Sequence, residues 1–471
     1  MKPSRVLHPA ILAAFLALAG CAAVGPNYQT PAASLPSSWS NLAVASASSR
    51  SDDLARWWER LGDPVLTQLI DEAQRANLDV RSAQARLREA RAQRDLAKAQ
   101  LAPSVGYSGS ASGGRIGNTA AAHQYNLLVD ASWEIDVFGG QRRAVEAADA
   151  DQQASAANVD SALVSLAAEV ARNYVDLRGY QARLAIAQSN LAIQDETLQL
   201  TEWRAQAGLV GALDVEQARS NRAQTRAQIP AFRTGAAVAA NALAVLLGVA
   251  PGALHERLAT VKAIPTPPQG IAVGIPADVL RQRPDVRVAE RTLAAETARI
   301  GQAEAAHYPA FNVQGTIGLE AISLHALTGG ASLASSLLGS IAGPLFDAGR
   351  VDQQVKAQTA VRDRAQLAYE AVVLTALRET ENALVALGNS QERQAQLNEA
   401  VDAARSAELL ARTRYSGGLI DFQTVLDTQR SLRTLEDSLA GSEADRALAL
   451  VQLYKALGGG WSPSPTQVTS G

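Results

Sequence analysis

Cysteine is almost absent from this chain of 471 residues, in which Cys21 is the only one. A single cysteine cannot form a disulfide within the chain, so the fold must be held together by packing alone. Aromatic residues are scarce as well, at 4% of the composition against 47% for all apolar residues. This scarcity argues against large aromatic cores, and the many alanine, leucine and valine residues suit long helices that pack closely together.

Proline is missing from two long stretches, between Pro103 and Pro230 and between Pro344 and Pro463. Because proline breaks helix interiors, these stretches are where long helices can form. In the first, leucine or valine recurs every seven residues from position 163 to position 198, which predicts coiled-coil packing. The predicted helix over 141–206 would be about 100 Å long, and 350–416 is its copy of equal length. Helices of that length predict a rod or a tube.

A large excess of charge is also missing, since the formal net charge is −3. Without a basic surface, nucleic acid is not expected as a partner. The five histidines lack metal-ligand spacing, and the chain has no P-loop, no dinucleotide-binding glycine run and no nucleophile elbow. We therefore expect no enzyme activity, no metal site and no cofactor except a covalent lipid.

The N-terminal apolar run, 11–18, is too short to span a bilayer, which takes about 20 residues. With the basic residues ahead of it, it marks 1–20 as a signal peptide. The signal ends in Leu18-Ala19-Gly20-Cys21, which looks like a bacterial lipoprotein signal and predicts a lipid on the cysteine. A plain secretory signal with a chance cysteine is the alternative. Ala22 stands where aspartate would retain a lipoprotein, which predicts passage to the outer membrane.

The chain contains an internal duplication. Asp79-Val80-Arg81 recurs 206 residues later as Asp285-Val286-Arg287, and Gly208-Leu209 recurs 210 residues later as Gly418-Leu419. This period is too long for a solenoid and indicates a duplicated half-molecule. The predicted organisation is a signal peptide (1–20), a lipidated extended arm (21–55), a first repeat (56–250), a linker (251–276), a second repeat (277–460) and a flexible tail (461–471).

Each repeat also contains two segments with the two-residue period of strands. The predicted strands cover about 104–112 and 124–137 in the first repeat, and about 310–320 and 335–346 in the second. From Tyr125 to Val137 the odd positions are apolar and include Trp133, while the even positions are mostly polar. Strands of about 10 residues with this alternation are typical of outer-membrane barrels. The alternative is a pair of soluble hairpins packed on helices. Tyr125, Trp133 and the lipoprotein signal count against this alternative.

Four strands cannot close a barrel, and an open sheet edge in hydrocarbon leaves backbone groups unpaired at several kcal/mol each. The chain must therefore share its barrel with other copies. Two copies give eight strands with a filled interior, whereas three give twelve strands and leave room for water. Three copies in closed cyclic symmetry are favoured by acidic residues expected to face the lumen, although the sequence alone leaves other numbers open. These residues are Asp130, Glu134, Asp136 and Glu320.

Several short strings occur in an order that points to a known family. They are Trp57-Trp58 before Gly62-Asp63-Pro64, then Arg281-Gln282-Arg283-Pro284-Asp285, Gly343-Pro344-Leu345-Phe346, and the series Arg414-Tyr415, Gly418-Leu419-Ile420-Asp421 and Val425-Leu426-Asp427. Over essentially the whole mature chain, the sequence resembles the outer-membrane factors of tripartite efflux systems of the resistance-nodulation-division type, in the lipoprotein branch of the TolC-like family.

The resemblance implies a mostly α-helical homotrimer with a transmembrane β-barrel. Four strands per protomer would form a shared twelve-stranded barrel, continuous with a long periplasmic α-helical barrel. It also implies the function of an exit channel that conducts small molecules such as drugs. The partners would be a periplasmic adaptor, an inner-membrane transporter and the lipid of the outer membrane, in which the protein is anchored while it extends into the periplasm.

The resemblance assigns roles to two sets of residues. The first set lies in the two glycine turns, which would form periplasmic tips that meet the adaptor: Gly208, Leu209, Val210, Gly418, Leu419 and Ile420. The second set would form a periplasmic gate: Asp427, Arg430, Gln423 and Thr424. From the residues alone, the glycines are helix caps that need positive φ, and the charged pair is an ordinary intrahelical ion pair.

Two other functions remain open at the level of sequence. The exit duct of a type I protein secretion system shares this architecture, and the lipidated arm favours small-molecule efflux over it. A periplasmic coiled-coil scaffold without a pore would explain the heptads and the lipid but not the alternating strands.

Overall fold

The computed structural model describes residues 23–31, 35–40, 45–46, 52–115, 117, 122–267, 271–272 and 276–461. The predicted signal peptide, the lipid site at Cys21 and the tail beyond 461 lie outside the described residues. The chain forms two compact units. The described residues within Met1–Ala33, Ala85–Ala157 and Arg287–Ala371 form the sheet unit, and those within Ser34–Gln84, Asn158–Val286 and Val372–Gly471 form the helical unit.

In each half of the chain, two helices are followed by two strands and then by two long helices. The first half has α1 (Asp52–Ala55), a 3₁₀ helix (Trp57–Leu61), α2 (Pro64–Ala76), α3 (Leu78–Ala99), β1 (Ser104–Gly114), β2 (Ala122–Ile135), α4 (Gly140–Gln206), α5 (Ala212–Leu246) and α6 (His255–Ala259). The second half has α7 (Pro276–Gln282), α8 (Pro284–Ala305), β3 (Ala310–Ala321), two 3₁₀ turns (His325–Thr328 and Gly330–Ser332), β4 (Leu333–Ala342), α9 (Arg350–Ser416) and α10 (Phe422–Ala456).

The duplication is visible in the lengths of the helices. α3 and α8 have 22 residues each, α4 and α9 have 67 each, and α5 and α10 have 35 each. The two 67-residue helices match the predicted bounds to within one residue. All six heptad positions of α4 are buried or half-buried.

Local capping explains where the shorter helices begin. Asp63 caps α2, accepting bonds from the amides of Val65 at 2.8 Å and Leu66 at 3.3 Å. In the sequence, the spacing of Leu66, Leu69, Ile70, Ala73 and Leu78 predicts one apolar helix face. The first four are buried in α2, but Leu78 is 63% exposed. That expectation was wrong because Asn77 ends α2 and caps a new helix, accepting from the amide of Val80 at 3.1 Å.

The helical unit concentrates the few aromatic residues of the chain in its core. Trp57, Trp58, Tyr174 and Tyr454 are at most 1% exposed. The rings of Trp57 and Tyr454 stack with their centroids 5.0 Å apart. The scarcity of aromatic residues in the sequence had argued against such a cluster. It forms because these residues converge from the N-terminal segment, α4 and the end of α10.

The sheet unit contains one antiparallel sheet in the order β1-β2-β3-β4. Its last strand ends at Ala342, four residues before the predicted end, because Gly343 and Pro344 follow. Its second strand ends at Ile135, so Asp136 does not face a lumen as expected. Instead, Asp136 caps α4, accepting from the amide of Arg142 at 2.8 Å.

Candidate functional site

The sheet has one apolar and one polar face. Antiparallel pairing places Tyr107 opposite Val129, and Val129 opposite Ile317, so the apolar positions line up across the strands. Several of these side chains are exposed: Val105 by 70%, Tyr107 by 88%, Leu127 by 53%, Ile317 by 55% and Leu337 by 81%. A continuous exposed apolar face of this kind suits hydrocarbon better than water.

The opposite face carries a network of polar side chains. Ser108 Oγ donates to Asp130 Oδ2 at 2.8 Å, and Gln124 Nε2 donates to Glu320 Oε1 at 2.6 Å. Asp130 lies opposite Thr316 in the neighbouring strand, as the alternation requires. Of the acidic residues expected on this face, Asp130, Glu134 and Glu320 share it, since Glu134 also lies opposite a polar residue.

The two outer strands of this sheet each have one neighbour only. Among the described residues, β1 pairs with β2 and β4 pairs with β3, and neither pairs with the other. Their outer edges therefore present backbone N–H and C=O groups that have no strand partner within the described part of the chain. Such an edge invites pairing with another strand.

The helical unit contains the two glycine turns that join the long helices. Gly208 has φ of 71° and Gly418 has φ of 73°. In each turn the glycine amide bonds to the carbonyl three residues back, and the following leucine amide bonds to the carbonyl five residues back, at 2.8 to 3.0 Å. Both turns are therefore Schellman caps, which need a left-handed residue at the glycine position.

The predicted tip residues differ in exposure within each turn. Leu209 is 67% exposed and Leu419 is 77% exposed. Val210 and Ile420 are half-buried, and Ile420 packs against a cluster that includes Tyr415 and Phe422. Each turn thus presents one leucine outward and half-buries the residue that follows it.

The second turn also has a side-chain cap that the first turn lacks. Asp421 accepts from the amide of Thr424 at 2.9 Å and from its hydroxyl at 2.6 Å. The Thr424 hydroxyl, followed by the Thr424 amide, holds the pKa of Asp421 below its ordinary value. Gly211 occupies the corresponding position before α5 and offers no side-chain bond.

The structure brings three of the four predicted gate residues onto one stripe of α10. Gln423, Asp427 and Arg430 follow at helical spacing on its outer side, and Gln423 Nε2 donates to Asp427 Oδ1 at 3.1 Å. Asp427 Oδ1 and Arg430 Nη1 are 4.0 Å apart, and their side chains are 62% and 42% exposed. Thr424 lies beside this stripe, where its hydroxyl bonds to Asp421. Within one chain this pair is a weak surface ion pair.

α10 is held to its neighbours in the helical unit by polar contacts. Arg183 of α4 makes a two-pronged bond to Asp437, at 2.6 and 2.8 Å. Gln429 Nε2 donates to Thr197 Oγ1 at 2.9 Å in a buried position. The pairing of Arg183 with Asp437 fixes α10, the helix that contains the predicted gate residues.

A contact missed at the level of sequence links the two turns. Arg204 of α4 donates to the carbonyl of Tyr415 at the end of α9, and its guanidinium lies 4.5 Å from the centre of the Tyr415 ring. Arg414 stands at the equivalent place in the second repeat and is exposed. The sequence holds no signal that separates these two arginines.

The described residues include no group of three or more histidine, cysteine, aspartate or glutamate side chains that could hold a metal ion. One described helix, α5, is long and apolar enough by composition to cross a membrane, and 17% of its most apolar window is buried within this chain.

The long paired helices, the sheet with one apolar face and the internal duplication define a TolC-like outer-membrane channel. The sequence model of the outer membrane efflux protein family matches residues 69–249 and 275–459. The chain belongs to this family.

Individual relatives agree with this assignment. Nodulation protein T of Rhizobium leguminosarum bv. trifolii is 33% identical over 95% of this chain and 96% of its own length. The toluene efflux pump outer membrane protein TtgF of Pseudomonas putida is 30% identical over 98% of both chains. The solved structure of the outer-membrane channel OprN has a TM-score of 0.88 and 37% identity, covering 93% of this chain and all of its own.

These findings confirm the predicted fold class, the outer-membrane location with an extension into the periplasm, and the assignment to efflux. The relatives are channel proteins rather than enzymes. A periplasmic coiled-coil scaffold without a pore does not account for the four-stranded sheet. The named efflux relatives favour efflux over type I protein secretion.

Proposed function

We propose that three copies of this chain form the outer-membrane exit channel of a tripartite efflux pump for small molecules. One observation carries the proposal: a four-stranded sheet with an apolar and a polar face ends in two strands without outer partners among the described residues. In hydrocarbon such edges must be paired, so neighbouring copies complete the sheet. Three copies give twelve strands, wide enough for a water-filled lumen lined by the polar face.

Exposed apolar residues on the long helices support contacts with further copies of this chain. Val238 and Val245 of α5 are 63% and 62% exposed, and Leu374 of α9 is 67% exposed. Side chains of this size on a periplasmic helix gain stability when another helix covers them. We assign this role to the adjacent copies of the trimer.

A passive channel has no energy source, so the pump needs an inner-membrane transporter and a periplasmic adaptor. The adaptor would contact the two turns, with Leu209 and Leu419 as outward contacts beside Gly208, Val210, Gly418 and Ile420. The exposure of both leucines supports this assignment. A lipid on Cys21 would anchor each copy in the outer membrane, as the signal sequence indicates.

The gate is assigned to the stripe of Gln423, Asp427 and Arg430, with Thr424 beside it. Three symmetry-related copies of Asp427 around a narrow pore would repel one another unless each is paired with an arginine. The exposure of this stripe within one chain leaves it available to face such a pore.

Purified protein in planar bilayers tests the channel and the gate together. The double variant Asp427→Ala/Arg430→Ala should raise ion conductance by roughly twofold or more, because it removes the charged pairs that would hold the three copies of α10 together at the constriction. Glu169→Ala/Arg172→Ala removes a similar exposed pair of α4, 3.3 Å apart, and should leave conductance unchanged.

Gel migration gives the oligomeric state independently. An SDS-resistant species of three chains that dissociates on heating supports the trimer. A monomer without conductance would contradict the channel, while a conducting trimer whose conductance is the same in the double variant would contradict the gate alone.

A further inference from the structure

Arg143, in the first turn of α4, binds the segment that follows the predicted lipid site. Its side chain is 5% exposed. It donates to three successive backbone carbonyls, those of Ala23 at 3.4 Å, Val24 at 2.9 Å and Gly25 at 3.0 Å. It also donates to Asn27 Oδ1 at 2.8 Å and to Glu146 Oε2 at 2.7 Å. Because three of its acceptors are successive backbone carbonyls, this buried guanidinium recognises the backbone conformation of the segment rather than a single side chain.

Two glycines make room for this segment. Gly25 has φ of +89°, and a Cβ on it would lie 2.3 Å from the Cα of Gly301 in α8. A Cβ on Gly301 would lie 2.7 Å from the Val24 carbonyl oxygen. Neither position admits a side chain, so the segment and the helix meet backbone to backbone. The Val24 amide also donates to the carbonyl of Phe138 at 3.1 Å.

Tyr28 forms the second contact of the same segment. It packs against Ala150, Ala294 and Ala295, and its hydroxyl donates to Glu290 Oε1 at 3.2 Å. The guanidinium of Arg291 lies 5.3 Å from the centre of its ring. Burial, followed by the charge of Glu290, raises the pKa of Tyr28 to about 12.

The second repeat has no equivalent of Arg143. Asp347 accepts from the amide of Val351 at 3.0 Å and so caps α9 as Asp136 caps α4. Whether the repeats are aligned by the starts of α4 and α9 or by these two capping residues, the matching position is a glutamine, Gln353 or Gln354. The segment is also present once per chain. The site is therefore a specialised feature of the first repeat and not a remnant of the duplication.

We propose that Arg143, Gly301 and the surface around Tyr28 form a receptor for residues 23–29, the start of the extended arm predicted from the sequence and here called the arm. The docked arm holds Val24 against Phe138, three residues after the apolar strand β2 ends. An acyl group on Cys21, three residues upstream of Val24, would then be attached within about 11 Å of this point. The receptor, and not the lipid, sets where the chain is tethered relative to its strands. The tether itself rests on the lipidation proposed above.

A spin label on the arm tests the receptor in the full-length protein reconstituted in lipid. Gln29 is exposed, and a cysteine placed there is the one free thiol once Cys21 carries lipid. The label should be immobile in the otherwise unchanged protein. Arg143→Gln should raise the ratio of mobile to immobile label by about tenfold or more, since several charge-assisted bonds are lost together.

Two further variants keep this test decisive. Gly301→Ala should release the arm in the same way, through the clash with Val24. Arg350→Gln makes the same chemical change in the first turn of α9 and should leave the label immobile. Helix content by circular dichroism and SDS-resistant migration verify that each variant is folded. A folded Arg143→Gln protein with an immobile label would overturn the receptor.

Removal of the lipid separates the receptor from the anchor. In Cys21→Ser the arm should stay immobile, because the bonds to Arg143 remain. A mobile label in this variant would show that the lipid holds the arm and would overturn the proposal. If mass spectrometry finds no lipid on the unchanged protein while its arm is immobile, the anchor fails and the receptor stands.

Discussion

Arg204 and Arg414 stand four residues before the glycines of the two turns, yet only one of them bridges the turns. Arg204 caps the carbonyl of Tyr415 and stacks on its ring. The repeats therefore differ in chemistry at the residue scale even where their sequences match. The bridge holds the end of α9, from which the second turn leads to the helix to which the gate is assigned.

Arg204→Ala should loosen the second turn. Loss of a charge-assisted bond to a carbonyl costs about 1.5 to 3 kcal/mol, so amide exchange around residues 416–420 should accelerate by about tenfold or more. Hydrogen exchange followed by mass spectrometry measures this. Arg414→Ala is the control, and equal acceleration in both variants would contradict the bridge.

Asp421 predicts a pH dependence of the same turn. Its pKa is lowered by the Thr424 hydroxyl and amide. A carboxyl with a lowered folded pKa stabilises the fold above its unfolded pKa of about 3.9, and this contribution disappears as pH falls through the lower folded value. Protection of the first turn of α10 should therefore weaken below about pH 4.

Asp421→Asn keeps a capping side chain without the titration. At each pH the exchange rates of the two proteins are compared, which cancels the intrinsic effect of pH. Their ratio should be constant above pH 5 and change below about pH 4. A constant ratio at all pH values would count against the cap.

At the scale of the elements, the bounds of the long helices could be predicted from the sequence, but their long-range side-chain contacts could not. The ends of α4 and α9 follow from local glycine turns, and β4 ends where Gly343 and Pro344 follow, which local sequence also signals. Two buried contacts were missed. Arg143 reaches a carbonyl 119 positions away, and Arg204 one that is 211 positions away. Such contacts depend on the assembled fold and leave no local pattern.

Leu78 and Asp136 were misplaced because a capping residue ended an element early. Asn77 starts a new helix where the apolar spacing suggested continuation, and Asp136 caps α4 where the alternation suggested one more strand residue. Side-chain bonds to backbone amides compete with periodicity at such boundaries.

The packing of α10 on α4 buries a polar atom without a partner, and a substitution that removes this atom should raise stability. Gln429 is 5% exposed, and its Oε1 has no hydrogen-bond partner in the described structure. Gln429→Leu removes this unpaired oxygen, and Thr197 keeps its bond to the Ile193 carbonyl. Stability should rise by about 1 kcal/mol, measured by thermal unfolding. A loss of more than about 1 kcal/mol would show that the bond to Thr197 dominates.

At the scale of the whole molecule, the apolar face of the sheet should not tolerate a charged side chain, whereas the polar face should. Val129→Lys places a charge on the apolar face and should cost about 2 to 4 kcal/mol at mid-membrane depth, so that little protein reaches the outer membrane. Ser132→Lys adds the same charge on the polar face of the same strand and should assemble normally. Outer-membrane fractionation compares the two, and equal assembly would contradict the assigned faces.

The unpaired borders of β1 and β4 also have a genetic consequence. If three chains share one barrel, a copy whose edge strands cannot pair prevents the barrel from closing, even when the other two copies are normal. With equal expression of normal and defective alleles, about one assembly in eight would be fully normal. Alleles that disrupt either border while sparing export should therefore act as dominant negatives, whereas alleles that prevent export should be recessive.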